Sequence, residues 1–250
     1  VEMFTYRRDT IYHPVNLSHR CQVFIATYAR TFNAKYLDRA ERYAKKLISL
    51  RHISGDAAYL PYDLRYAVHS DSANTLTPPW YSGMAQGEFL TVLVRLHEFT
   101  GNEDYLKVAR SVFESFLRPR ASNEKWVVRL DSNNFYWIEE YPHEEHPGMT
   151  LNGFIGAVFG IHEYFQATGD PRARTVYDMA VTTLKHYIPY YLQDCQTSLY
   201  CLGHRNEASL GYHHLHIRQM QELHRLSGDP FFQEMAKAFE AHLPVDSGGR

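Results

Sequence analysis

One punctuation mark recurs along the chain and limits its fold more than any other feature. It reads TFNAKYLDRA from Thr31, TGNEDYLKVA from Thr100, TGDPRARTVY from Thr168 and SGDPFFQEMA from Ser227. Each has a Thr or Ser, usually a Gly, then an Asn or Asp, and each stands between two helical patterns. The Gly suits a helix C-terminus, and the Asn or Asp suits the N-cap of the next helix. Pro171 and Pro230 fall at a first helical position, where proline is tolerated. Each mark is therefore the tight turn of an αα-hairpin. The hairpins pair 17–30 with 35–50, 82–98 with 103–116, 150–167 with 171–187, and 212–226 with 230–243. Leu90, Leu93, Val94, Leu96 and Phe99 show the 3.6-residue period inside one of them.

A hairpin cannot bury its apolar face alone, so repeated hairpins stack. The expected fold is all-α: an α/α toroid of about four helical hairpins in one domain spanning 1–250. A closed ring is preferred over an open solenoid. Long stretches at 51–81, 118–149 and 188–211, rich in Gly, Pro, Asp and Tyr, separate the hairpins. They are expected to gather at one rim, where function usually sits. Glu124–Leu130 and Thr197–Leu202 look like strands of small β-hairpins within them. Upstream of Thr77 the sequence reads as helical from about Tyr12. The final five residues, DSGGR, read as a frayed tail.

The net charge is −2, which gives no long-range attraction for nucleic acid or an anionic membrane. No apolar run approaches the roughly 20 residues needed to span a bilayer. No signal peptide is visible, and a start at Val1 leaves room for an upstream segment, so the compartment stays open. Three cysteines, Cys21, Cys195 and Cys201, form no CxxC and argue against a disulfide framework, although Cys195 and Cys201 are close enough in sequence to bridge. Nineteen tyrosines offer apolar faces with hydroxyl tips, which suits sugar binding. The plainer reading is that most of them pack at the edge of the core.

Three polar–aromatic clusters stand where a long loop enters a helix: Thr77–Phe89, Asn134–Phe154 and Tyr200–Gln221. At equivalent repeat positions they should converge on one rim. The second reads NFYWIEEYPHEEHPGMTLNGF and places Glu139, Glu140, Glu144 and Glu145 among aromatics. Glu139 and Glu140 are adjacent, so in extended chain they point to opposite sides, and one of them faces the site. A solvated acidic loop is the alternative for the group. Trp80 and Tyr81 are candidates to stack on sugar rings and Gln86 to bind hydroxyls; an N-cap at Ser82 with a packed helix start is the other reading. His213 and His216 share a helix face. They are candidates for binding a substrate carboxylate, for a structural role, or, with His204, for zinc. No carboxylate or cysteine spacing completes a zinc motif, so no metal or other cofactor is expected.

These clusters resemble the C-terminal domain of the D-glucuronyl C5-epimerases. PPWYSGMAQGEFLTVLVRLHEFTG, WIEEYP followed by LNGF, and LY followed by YHHLHIRQMQ carry the resemblance, in that order, from about Pro78 to Phe232. The resemblance implies an α/α-barrel catalytic domain and an acidic, uronate-containing polysaccharide as partner. The implied reaction removes the C5 proton of D-glucuronate and returns one to the other face, giving L-iduronate in a heparosan-like chain. Its catalytic positions fall on Glu140, Tyr141, Tyr200 and Tyr212. Asn152, His204, Arg205 and Arg218 join Trp80, Tyr81, Gln86, His213 and His216 as candidate substrate-binding residues. The chemistry is consistent: a desolvated glutamate can serve as base, and a tyrosine near pKa 10 holds a proton at neutral pH to deliver.

Two departures stand out. Family members typically carry Y-D-L-R-H where this chain has Tyr200-Cys201-Leu202-Gly203-His204, with Arg205 as the nearest guanidinium. The animal enzymes also have a β-rich N-terminal region that completes the cleft. A shorter cleft, a homodimer contact or a different substrate would account for its absence. A polysaccharide lyase and a glycoside hydrolase remain open, the latter needing a second carboxylate from the Glu139–Glu145 loop, Asp63 or Glu207. So does a non-catalytic glycan-binding protein.

Overall fold

The computed structural model describes residues 1–6, 9–120, 125–194 and 196–241. Eight α-helices dominate the described residues: α1 (Pro14–Thr31), α2 (Ala34–Leu50), α3 (Gly83–Thr100), α4 (Glu103–Phe113), α5 (Leu151–Thr168), α6 (Pro171–Tyr187), α7 (Leu210–Ser227) and α8 (Pro230–Ala241). They form four hairpins. The side chains of Asn33, Asn102 and Asp170 cap the backbone N–H groups of Lys35, Asp104 and Arg172. Gly101, Gly169 and Gly228 close α3, α5 and α7 in the left-handed conformation, with φ of 66°, 65° and 70°. The first mark has no Gly, and Phe32 takes the same conformation there with φ 51°.

The odd-numbered helices form the inner wall of an α/α toroid. α1 packs on α3, α3 on α5 and α5 on α7. Among the described residues this extensive packing does not return from α7 to α1; those two helices face each other across a cavity. α3 and α5 are buried on almost every side, whereas α4 buries only the stripe Tyr105, Leu106, Ala109, Val112 and Phe113. That contrast distinguishes inner from outer helices. α3 and α5 meet backbone to backbone: a Cβ on Gly160 would collide with the carbonyl of Gly87, and one on Gly87 with the backbone of Ala157. One apolar cluster draws on all eight helices, including Ile25, Leu47, Phe89, Phe113, Phe154, Leu184, Met220 and Phe239.

Six two-stranded antiparallel ribbons occupy the loops: β1 (Phe4–Tyr6) with β2 (Asp9–Ile11), β3 (His52–Ser54) with β4 (Ala57–Tyr59), β5 (Pro61–Tyr62) with β8 (Trp80–Tyr81), β6 (Tyr66–Ala67) with β7 (Thr75–Leu76), β9 (Val128–Leu130) with β10 (Tyr136–Ile138), and β11 (Leu199–Cys201) with β12 (Asn206–Glu207). The chain before Thr77 is thus not purely helical, because seven of these strands precede it. The strand expected over Glu124–Leu130 is confined to Val128–Leu130, and Glu124 lies outside the described residues. So does the DSGGR tail. Cys201 is a free thiol, so the bridge to Cys195 is not formed; Cys195 itself lies outside the described residues. No helix among the described residues is long and apolar enough to cross a membrane.

Candidate active site

The three loop clusters meet at the N-terminal ends of the inner helices. A cavity of about 440 Å³ opens there, lined by Trp80, Glu140, Tyr141, Asn152 and Tyr212 together with His13, His19, Tyr62 and Tyr66. Extended backbone after β10 sends the adjacent glutamates opposite ways. The Glu139 amide donates to Val127 O and its carbonyl accepts from Gly83 N–H, both at 2.8 Å, which locks the segment between β9 and the start of α3. The Glu139 side chain turns into the protein, where Arg129 Nε donates to it at 2.7 Å and Met149 N–H at 3.0 Å. Burial pushes its carboxyl up, and Arg129 with the Met149 and Gly148 amides pulls it back. Glu139 is a structural ion pair.

Glu140 turns the other way, against the first turn of α5. A Cβ on Gly153 would collide with its Oε2, so glycine at that position lets the carboxylate lie there. Burial pushes its pKa up to about 7; the hydroxyls of Tyr141 and Tyr200 stabilise the charged form, and the charge of Glu139 opposes it. Oε2 is buried and has no hydrogen-bond partner. Among the described residues lining this cavity, Glu140 is the one carboxylate. Asp63, Glu144, Glu145 and Glu207, the other candidate carboxylates, are exposed and do not line it.

Aromatic rings surround Glu140. Tyr62 stacks on Trp80 with centroids 4.1 Å apart, and Tyr66 stacks on Tyr141 at 5.5 Å. Tyr200 meets Tyr212 edge to face at 5.0 Å. Burial raises the pKa of Tyr62, Tyr141 and Tyr200, and the Glu140 charge raises each further. These phenols remain protonated throughout the neutral range. Tyr212 stands at the mouth, 42% exposed. The four residues expected to be catalytic thus form one cluster.

The other expected residues divide. Trp80 and Asn152 face the cavity, and Asn152 Oδ1 is buried without a partner. Tyr81 alternates away from Trp80 along β8, and its hydroxyl pairs with His52 Nδ1 at 3.0 Å. Gln86 is fully buried and spends its amide on Leu60 N–H, Ala58 O and Ser115 Oγ, so it is a core residue rather than a hydroxyl binder. His213 and His216 are fully buried on α7. His213 Nδ1 accepts from Ser198 N–H, and Nε2 lies 3.0 Å from Phe239 O. His216 pairs with Ser198 Oγ, and burial holds its pKa down at about 3. Neither lines the cavity, and His204 groups with other residues than these two. Arg205 and Arg218 are exposed and line no part of it. Ser82 caps α3 through Ala85 N–H and also lines the cavity, so the N-cap reading of the PPWYSG cluster holds, and of Trp80, Tyr81 and Gln86 only Trp80 faces the cavity.

Gly203 has a steric cause. A Cβ there would collide with Pro147 O, and the Gly203 N–H donates to Gly148 O at 3.1 Å. Arginine cannot occupy this position unless the 147–148 segment moves. Sequence reasoning missed His13, His19, Tyr62 and Tyr66, which come from the start of α1 and from the 61–67 stretch. The aromatic–polar string PYDLRY was the available signal.

A second cavity, about 560 Å³, lies toward the C-terminal ends of the inner helices. Its two arginines are already paired: Arg95 donates to Glu163 at 2.6 and 3.0 Å, and Arg225 to Glu222 at 2.5 and 2.8 Å. With both arginines engaged and Phe159 the one Phe, Tyr or Trp among the described residues lining it, it is the weaker candidate for sugar chemistry.

Residues 54–241 match the family described as D-glucuronyl C5-epimerase C-terminus. The chain belongs to that family. A D-glucuronyl C5-epimerase of Caenorhabditis elegans is 28% identical over 180 residues, covering 64% of this chain and 28% of that protein. An uncharacterized protein of Methanocaldococcus jannaschii is 31% identical over 163 residues, covering 65% of this chain and 52% of that one. The chain therefore spans about half or less of the curated relatives it matches. Among solved structures, the GH76 α-mannanase of Bacteroides thetaiotaomicron superposes with a TM-score of 0.61 at 12% identity, covering 95% of this chain and 58% of that one. Cellobiose 2-epimerase from Bacillus thermoamylovorans gives 0.61 at 11%, covering 92% and 60%. At such identity these two establish the α/α toroid and nothing about substrate. The site of this D-glucuronyl C5-epimerase family member is built on the loop sequences inside the matched range, with His13 and His19 added from α1.

Proposed function

We propose that this chain is the catalytic domain of a carbohydrate epimerase that inverts C5 of a D-glucuronate residue to L-iduronate within an acidic polysaccharide. The observation that carries the reading is Glu140: a buried carboxyl with a pKa near 7 and a partnerless Oε2, facing a cavity whose other titrating groups are mostly phenols and imidazoles. An ionised Glu140 takes the C5 proton. The electron pair of the broken C–H bond moves into the uronate carboxyl group and forms an enediolate. That charge needs donors in place before the reaction. Asn152 and the imidazoles of His13 and His19 are the described candidates, and the Glu88 carboxylate raises the pKa of His19. A tyrosine hydroxyl then returns a proton to the opposite face, as the enediolate electrons re-form the C–H bond. Tyr141, Tyr200 and Tyr212 are the donors proposed.

Family membership supports this reading, and so does the activity for which the nematode relative is named. A glycoside hydrolase would need two carboxylates facing one bond, whereas Glu139 is already engaged by Arg129. The test is to incubate the protein with heparosan and follow the product by NMR. Iduronate signals are the expected result. Unsaturated chain ends would make the protein a lyase, and an unchanged polysaccharide that still binds would make it a glycan-binding protein.

A further inference from the structure

We propose that His69, Cys201 and His204 form a binding site for a zinc-class divalent cation, at the rim behind Tyr200. Their ligand atoms all lie within 4.8 Å of one another. His69 Nε2 is 3.1 Å from Cys201 Sγ, and Cys201 Sγ is 3.5 Å from His204 Nδ1. A tetrahedral zinc site with metal–sulfur near 2.3 Å and metal–nitrogen near 2.0 Å has edges of about 3.3–3.6 Å between its ligands. The two edges from the thiol are therefore already close to those of such a tetrahedron, and the third is within 4.8 Å. The His69 and His204 rings cross at 72° with centroids 5.1 Å apart, so they converge on the thiol rather than stack.

The surroundings suit a ligand set better than a packed corner. His69 and Ser70 both adopt left-handed backbone, with φ of 54° and 62°, although neither is glycine. Such conformations cost of order 1–3 kcal/mol each and need something to hold them. The Asn206 amide lies 2.5 Å from His69 Nδ1. Turned to present its oxygen, it accepts from Nδ1–H and leaves the Nε2 lone pair facing the thiol, the outer contact that metal-bound imidazoles usually make. Two histidines and one cysteine leave a fourth position for water.

Bound cation would clip the 68–70 turn to the β11–β12 hairpin. Tyr200 immediately precedes Cys201, and its ring meets His69 edge to face at 5.7 Å. The clip would therefore fix the phenol beside Glu140.

The experiment titrates the metal-free full chain with Co²⁺, then displaces it with Zn²⁺. One equivalent is expected, with tetrahedral visible bands and a thiolate-to-cobalt charge-transfer band in the near ultraviolet. Cys201→Ser removes the charge-transfer band. His69→Ala, a half-buried position away from the helical core, weakens Zn²⁺ binding by more than the roughly 10–100-fold that loss of an outer-shell partner costs. Circular dichroism checks that each variant is folded, and His69→Ala carries the test if Cys201→Ser is not. Absence of the charge-transfer band in the unmodified protein, its persistence at full strength in folded Cys201→Ser, or undiminished Zn²⁺ binding by folded His69→Ala overturns the proposal.

Discussion

Glu140 has its acidity set by its neighbours. In an unfolded chain its carboxyl titrates near the ordinary 4.5; in the fold it holds its proton to about pH 7. Between those values the folded state binds the extra proton, so stability falls as pH rises through this window and levels off above it. Glu140→Gln removes that loss. Equilibrium unfolding should find the variant gaining on the unmodified protein between pH 4.5 and 7, by about 3 kcal/mol at the upper end. Parallel stability curves across that range would mean that Glu140 is not the buried titrating group. The division between Glu139 and Glu140 was legible in the sequence, because adjacent residues in extended chain face opposite ways. The fates of His213 and His216 were not: a three-residue spacing puts two side chains on one helix face without saying whether that face meets a cavity or the core. Nor was the His69–Cys201–His204 grouping, whose members are joined by a contact across 132 positions.

At the scale of elements, the helices were readable and the strands mostly were not. A cap residue fixes a helix boundary locally, and the Asn, Asp and Gly marks placed the hairpin turns within a few residues of where they fall. Strands of two or three residues are too short for alternation to show. The ribbons between Arg51 and Tyr81 exist because the loops fold back over the inner helices, a tertiary cause. The closest helix contact also had no sequence pattern that could be trusted alone. Gly87 and Gly160 let α3 and α5 touch backbone to backbone, and that contact sets the spacing of the wall from which Ser82, Asn152 and Glu140 reach the cavity. Gly160→Ala gains helix propensity but drives a methyl into the Gly87 carbonyl. It should destabilise the protein by about 1–3 kcal/mol, read as a lower melting temperature. An unchanged or higher melting temperature would show that the two helices separate at little cost.

For the whole molecule, repetition places the chemistry. Four hairpins arranged as a toroid bring the N-terminal ends of the inner helices to one rim, and the loops entering α3, α5 and α7 deliver Trp80, Glu140 and Tyr212 to one cavity. The sequence predicted that convergence from three clusters at equivalent repeat positions. It did not predict the share taken by α1, whose His13 and His19 belong to no such cluster. The inner wall runs from α1 to α7, and the cavity lies between its two ends. The deciding property of that cavity is whether it moves a proton at C5. The most direct measurement is deuterium uptake at C5 of heparosan glucuronate in D₂O, compared between the unmodified protein and Glu140→Gln, with binding of the polysaccharide measured in parallel. Uptake by the unmodified protein, lost by at least about 100-fold in Glu140→Gln while binding persists, is the predicted result. Uptake that survives in Glu140→Gln would contradict the role given to Glu140, and no uptake by a protein that binds the chain would contradict proton chemistry at this site.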